Sequence, residues 1–241
     1  MGARMAGDWR VEGREGSADT LNAAWPSVAE DPSGRAIAVC RVDAPAVVLG
    51  STQSATVIDA ARAAAQGIAV ARRRSGGGAV LVTPDDPVWI DIWVPVGDRL
   101  WNPDIGRAFD WLGDAWVTAL GESGVGDLVA HRGGTVPRTR WSRLVCFGGV
   151  GTGEVVTGDG RKVVGLAQRR SRGGAWFQAA CVLHWQPARL VGLLALPDSE
   201  RVAAEAGLEA AVAGVADLLT GRSGRPVDGP EIAGSLIAAL P

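Results

Sequence analysis

The chain has 241 residues, 47% of them hydrophobic and 21% charged, which is enough apolar content for a sizeable core and speaks against disorder. A net charge of -2 gives no general attraction to nucleic acid or to an anionic membrane. No apolar run approaches a membrane span or a signal peptide, so a soluble cytoplasmic protein with neither of those partners is expected. Cys40, Cys146 and Cys181 are odd in number and widely spaced, without a Cys-x-x-Cys pair, and neither a disulfide framework nor a metal site is expected.

In chain order, the polar stretch to about Ser17 reads as a loose N-terminal end, and Ala18 to Trp25 as a short helix stopped by Pro26. Glu30 to Gly34 reads as a loop. Ile37–Val42 and Ala46–Gly50 read as strands about the Asp43-Ala-Pro45 turn, and Ser54 to Gln66 as a helix closed by Gly67. Ile68–Ala71 is a short strand running into Arg72-Arg-Arg-Ser-Gly-Gly-Gly78. Ala79–Val82 and Val88–Val94 suggest a hairpin, and in the second strand Trp89, Asp91 and Trp93 alternate with Val88, Ile90, Ile92 and Val94.

Ile105 to Leu120 carries apolar residues at three- and four-residue steps and predicts a helix. Gly121 to Arg140 reads as loop. Leu144–Phe147, Glu154–Val156, Lys162–Gly165 and Ala175–His184 read as strands; Asp198–Leu219 and Pro230–Leu240 read as helices, with the break at Arg225-Pro226. Without a repeat or a clear linker, this is one α/β (α+β) domain over residues 1–241, a central mixed sheet flanked by helices.

Two stretches carry chemistry. After the strand at Ile68–Ala71, three glycines let backbone N–H groups turn toward one point, and the preceding arginines offer bidentate donors to phosphate or carboxylate. The loop is neither a Walker loop nor a dinucleotide fingerprint, and a plain flexible basic turn is the other reading. The second stretch is Gly158-Asp-Gly-Arg-Lys-Val-Val-Gly-Leu-Ala-Gln168. Its Lys162 is the only lysine in a chain whose remaining basic residues are arginine. It is either a chance surface residue or a compact cation kept where a guanidinium would not fit. Together, a glycine nest and a lone lysine on separate strands could clamp a mixed carboxylic–phosphoric species and stabilise charge during acyl activation.

At these residues the sequence resembles the lipoate–protein ligase A family of the biotin and lipoate ligase superfamily. One family marker, Arg-Arg-x-Ser-Gly-Gly-Gly-x-Val, stands here as Arg72–Val80; the other, Lys-x-x-Gly-x-Ala-Gln, as Lys162–Gln168. Val47-Val-Leu-Gly-Ser-Thr-Gln53 and the segments Val215–Leu219 and Glu231–Ile237 are also similar, so the likeness spans roughly residues 37 to 240. It implies a biotin/lipoate ligase-like fold with a largely antiparallel sheet. The implied activity is transfer of a lipoyl or octanoyl group to a lysine of a 2-oxoacid dehydrogenase lipoyl domain or a glycine cleavage H protein. ATP with Mg²⁺ would serve the ligase route, and an acyl carrier protein would be the donor in a transferase route. By the same resemblance Arg73, Ser75, Gly76, Gly77 and Gly78 would line the acyl and nucleotide pocket, with Arg72, Ala79, Gly165, Ala167 and Gln168 as further binding positions. Lys162 would hold the acyl carbonyl and the phosphate or thioester end.

The family's His-Asp or Tyr-Asp pair after the glycines is replaced by Val82-Thr83, with Asp85-Asp86 further along. Its later His-Gly is replaced within Phe177-Gln-Ala-Ala-Cys181. The chain also ends where many adenylating members continue into an accessory domain, and none is expected here. Cys40 and Cys181 read as core residues. Cys146 has two open readings: a buried strand cysteine, or an acyl nucleophile as in octanoyl transferases with a comparable Cys-Phe position. A non-catalytic relative that binds an acyl ligand or a carrier is the remaining alternative. Trp89, Trp93 and Trp176 are candidates to line an acyl tunnel.

Overall fold

The structure, a computed structural model, describes residues 4–23, 33–137, 139–219 and 227–241. The first elements are β1 (Arg4–Ala6), β2 (Trp9–Gly16), α1 (Ala18–Ala23), β3 (Arg35–Val42), β4 (Ala46–Leu49), α2 (Ala60–Ala65), β5 (Ala69–Arg72), β6 (Val80–Val82) and β7 (Val88–Pro95). Then come α3 (Asp110–Glu122), β8 (Leu128–Ala130), β9 (Val136–Pro137), β10 (Gly149–Val150), β11 (Val155–Thr157), β12 (Lys162–Arg170) and β13 (Gly174–Cys181). Four helices close the chain: α4 (Pro187–Val191), α5 (Asp198–Glu209), α6 (Val215–Leu219) and α7 (Gly229–Ala239). Among the described residues no helix is long and apolar enough to cross a membrane.

The main sheet has eight strands in the order β1-β2-β3-β7-β13-β12-β11-β8. It is antiparallel except where β2 runs parallel to β3. A second sheet, β5-β4-β6, and a two-stranded ribbon of β9 and β10 complete the strands. The alternation along β7 lays out the layers. Val88, Ile90, Ile92 and Val94 pack with Leu112, Trp116 and Leu120 of α3 and with Ile232 and Leu236 of α7. Trp89 on the opposite face packs with Val48 and Val82 of the small sheet. Both faces of the strand are therefore buried, where an amphipathic strand has only one.

Several expectations are corrected. Residues 4–16 are not a loose end: β2 carries the buried Trp9 and Val11 into the main sheet, and Trp9 Nε1 donates to the Pro241 carbonyl at 3.1 Å. The expected helix over 54–66 breaks into a 3-10 turn at Ala55–Val57 and α2, because Ile58 bridges Leu194 and the Asp59 carboxylate caps Arg62 N–H at 3.0 Å. β6 and β7 flank a real turn but diverge into different sheets, as do β3 and β4. The helix expected from Ile105 starts at Asp110, since the side chains of Asn102 and Asp104 cap local turns there and Ile105 is 63% exposed. The supposed loop over 121–140 contains β8 and β9. The expected Leu144–Phe147 strand is instead a bridge to Ala79 followed by a 3-10 turn at Cys146–Gly148. The expected helix over 198–219 is split into α5 and α6, because Lys162 N–H donates to the Ala211 carbonyl and Ala213 N–H donates to the Lys162 carbonyl. Parts of three readings, at Trp25-Pro26, Glu30–Pro32 and Arg225-Pro226, lie outside the described residues.

Candidate active site

The glycine loop leaves β5 and returns to β6 between the two sheets. Arg73, only 6% exposed, lies inside it and donates to the carbonyls of Gly76 at 2.7 Å, Gly78 at 2.8 Å and Val48 at 3.2 Å. Arg72 Nη1 donates to the carbonyls of Gly50 at 2.7 Å and Gln53 at 2.6 Å. Both expected anion donors are thus engaged with backbone carbonyls, and their main effect is to shape the loop. Ser75 is buried and donates to Gln178 Oε1 at 2.8 Å, so it too braces the loop.

Two glycines here are required by geometry. Gly77 has φ +100°, and a β-carbon on it would lie 2.8 Å from Arg73 Nη2 and 3.5 Å from Cys146 Sγ. At Gly78 a β-carbon would stand 2.6 Å from the carbonyl carbon of Val145. That close approach lets Ala79 N–H donate to the Leu144 carbonyl at 2.7 Å and Cys146 N–H donate to the Ala79 carbonyl at 3.0 Å. The loop therefore sets Cys146 beside itself. Ala79 acts through these backbone bonds.

Lys162 is buried, its side chain 1% exposed. Its ammonium stands 2.7 Å from Glu154 Oε2 and donates to the carbonyls of Cys146 and Gly149, each at 3.1 Å. The ring of Phe147 lies 4.9 Å away. Gly165 closes the cage with no side chain: a β-carbon there would be 3.3 Å from Lys162 Cε. The lysine is far from a chance surface residue. Glu154 went unnoticed in the sequence. Its signal was the turn at Gly158–Gly160, which folds β12 back onto β11 and places an acid beside the lone lysine.

Two clefts meet at this point. The inner one is narrow, with a cavity volume of about 60 Å³; it runs between the sheets and is walled by Val48, Val82, Trp89, Phe147, Gly165 and Ala180. Gly165, Ala180 and Trp89 sit side by side on β12, β13 and β7, so the cleft reaches two strand spacings, on the order of 10 Å, from Gly165. Of the three candidate tunnel tryptophans only Trp89 lines it; Trp93 and Trp176 form a separate cluster with Ala36. The outer cleft has more polar surface than the inner one and is lined by the glycine loop, Lys162, Glu154 and Gln168. Cys146 and Ala167 line both. Gln168 Nε2 has no hydrogen-bond partner among the described residues.

Beyond Trp89 the inner cleft rests on a buried polar group. Gln178 Nε2 donates to Asn22 Oδ1 at 3.3 Å and Asp91 Oδ1 at 3.4 Å, and Trp89 Nε1 donates to Asp91 Oδ1 at 2.7 Å. Burial pushes the Asp91 carboxyl up to about 7, and its Oδ2 has no partner among the described residues. Burial likewise raises the thiol of Cys40. Residues at or near the two replaced family pairs have structural roles. Gln178 braces the loop through Ser75, and Asp86 accepts the N–H groups of Leu183 and His184 at 3.0 and 2.7 Å.

The sequence matches the family model of the lipoyl protein ligase A/B catalytic domain over residues 24–240. A comparison with curated proteins gives no match. Among solved structures, the bi-partite lipoate protein ligase of Thermoplasma acidophilum, studied with its E2 lipoyl domain, is similar at TM-score 0.70 and 22% identity, over 96% of this chain and 82% of that one. A lipoate-protein ligase A bound with ATP is similar at 0.68 and 21%, over 96% and 83%. A Thermoplasma acidophilum protein with bound lipoic acid is similar at 0.68 and 21%, over 98% and 84%. At such identities the likeness shows the shared fold.

Proposed function

Since the chain belongs to the lipoyl protein ligase A/B catalytic domain family, we propose that it attaches a lipoyl or octanoyl group to a lysine of a lipoyl carrier domain through an acyl-adenylate. The observation that carries this reading is the junction, at Cys146, of an apolar cleft with a second cleft that Lys162 lines. The acyl chain would lie between the sheets toward Trp89, and its carboxyl end would emerge beside Lys162. The solved relatives with ATP and with lipoic acid support these two substrates, and the one studied with its E2 lipoyl domain supports a lipoyl-domain acceptor.

In the first step the acyl carboxylate attacks the α-phosphate of ATP and pyrophosphate leaves. In the second, the acceptor's amine attacks the acyl carbonyl and AMP leaves. Lys162 would stabilise the negative charge that develops on oxygen in each step, and the N–H groups of the glycine loop would face the phosphate. Mg²⁺ would arrive on the triphosphate. Among the described residues Glu154 is the one acidic side chain lining the outer cleft, and both its oxygens are engaged by Lys162, Gly151 and Leu166, which leaves no free carboxylate to hold a metal there. Pyrophosphate release from ATP should depend on added lipoate or octanoate and need no carrier. A folded protein that releases none with either acid would exclude the adenylate route.

The place of Cys146 on both clefts favours a second reading. Its thiolate would attack the thioester of an octanoyl acyl carrier protein, releasing that carrier's thiol. The acceptor lysine would then attack the enzyme thioester and restore the cysteine. This route needs no ATP.

A further inference from the structure

We propose that Glu154 is a positioning residue that holds Lys162 in a resting position and yields it to the carboxyl end of an incoming acyl ligand. The inference rests on the acyl-transfer reading and adds to it how the site is kept ready. The ammonium has three protons and, in this structure, three acceptors: Glu154 Oε2 at 2.7 Å and the carbonyls of Cys146 and Gly149 at 3.1 Å. With every proton engaged, Lys162 reaches an acyl oxygen only by giving up one of these bonds.

The two carbonyls belong to the turn that carries Cys146 and to β10, and both are fixed by the backbone. Glu154 is fixed as well. Its Oε2 accepts Gly151 N–H at 2.7 Å and its Oε1 accepts Leu166 N–H at 3.0 Å, which ties it to both flanks of the outer cleft. The mobile partner is the lysine stem. It is reached from the outer cleft, which Lys162 itself lines, while Gly165 packs against the stem and lines the inner cleft. An anionic ligand end and the Glu154 carboxylate therefore compete for the same cation. While the cleft is empty, Glu154 satisfies a buried charge that would otherwise destabilise the site.

A latch and a rigid strut respond to removal in opposite ways. If Glu154 must first release Lys162, the competent arrangement is only a fraction of the population, and the apparent affinity is reduced by that fraction. Glu154→Gln keeps an oxygen for Leu166 N–H but removes the competing charge. It should lower the Kd for octanoate about tenfold or more, read by calorimetry. If the pair is a strut, the same change weakens binding or leaves it alone.

A second measurement uses the parent protein. Because Lys162 is the only lysine, protein labelled with [15N]lysine gives one side-chain ammonium resonance. Titration with octanoate should move it with the same midpoint as the heat of binding. Heat without movement of the resonance would overturn the proposal, and so would octanoate affinity in folded Glu154→Gln equal to or weaker than the parent's. Should Glu154→Gln fail to fold, the parent titration decides. If the parent gives no heat with either octanoate or lipoate, the acyl reading itself fails and takes the proposal with it.

Discussion

Cys146 and Lys162 stand 16 positions apart and meet through one bond, Lys162 Nζ donating to the Cys146 carbonyl at 3.1 Å. The ammonium is thus anchored to the backbone of the turn that carries the thiol, and Gly78 lets that turn approach the glycine loop. On either proposed route the chemistry would converge on this pair.

Lys162→Arg should lower acyl transfer by at least ~10²-fold, the scale of losing one preorganised donor. The cage offers three acceptors and an aromatic ring around a thin stem, with Gly165 leaving space for a methylene and no more. A guanidinium keeps the charge but is too wide. Near-normal transfer by folded Lys162→Arg protein would contradict the role given to the ammonium.

Gly77→Val should abolish binding of lipoate, octanoate or a lipoyl-adenylate analogue. A branched side chain is strained at φ +100° and would enter the space held by Arg73 Nη2 and Cys146 Sγ. Calorimetry reads it directly, and unchanged binding would reduce the triple glycine to a simple turn.

The buried carboxyl of Asp91 makes stability depend on pH. With its value raised to about 7, the folded protein keeps a proton that the unfolded chain releases near the usual carboxylate value. Stability from this group therefore falls as pH rises from about 4 to about 7, by about 1.4 kcal/mol per unit, and levels off above that. Asp91→Asn keeps an oxygen for Trp89 and Gln178 and cannot ionise. Urea unfolding should show a flatter pH profile across that window and a more stable variant at pH 8. An unchanged slope would mean that Asp91 titrates normally in the fold.

Much of this was legible in the sequence, for physical reasons. Both motifs lie on single short loops or strands, so linear spacing reports them, and the alternation along Val88–Val94 displays the two faces of β7. The missing parts depend on contacts between distant segments. β2 reads as polar because Glu12 and Arg14 form an ion pair with each other, while its period-two apolar residues, Trp9 and Val11, are few. Leu144–Phe147 has a strand's composition but gains only a bridge to Ala79. Arg72 and Arg73 look like ligand donors until the carbonyls around them are known. For Glu154 the only sign in the sequence is the β11–β12 turn, which folds it back to Lys162.

Cys146→Ala separates the two activation routes. If an acyl thioester forms, parent protein incubated with octanoyl acyl carrier protein should gain one octanoyl mass, released by hydroxylamine and missing in the variant. On the adenylate route the variant keeps transferring lipoate with MgATP, and the thiol is part of the cleft wall.

The most direct measurement is the mass of the acceptor. Pure protein is incubated with an apo lipoyl domain and either lipoate with MgATP or octanoyl acyl carrier protein. The domain should gain one lipoyl or octanoyl group on its lysine with at least one of these donors, and none when Lys162→Arg protein replaces the parent. A lipoyl domain of unchanged mass with both donors, in the presence of folded parent protein, would contradict the proposed acyl transfer.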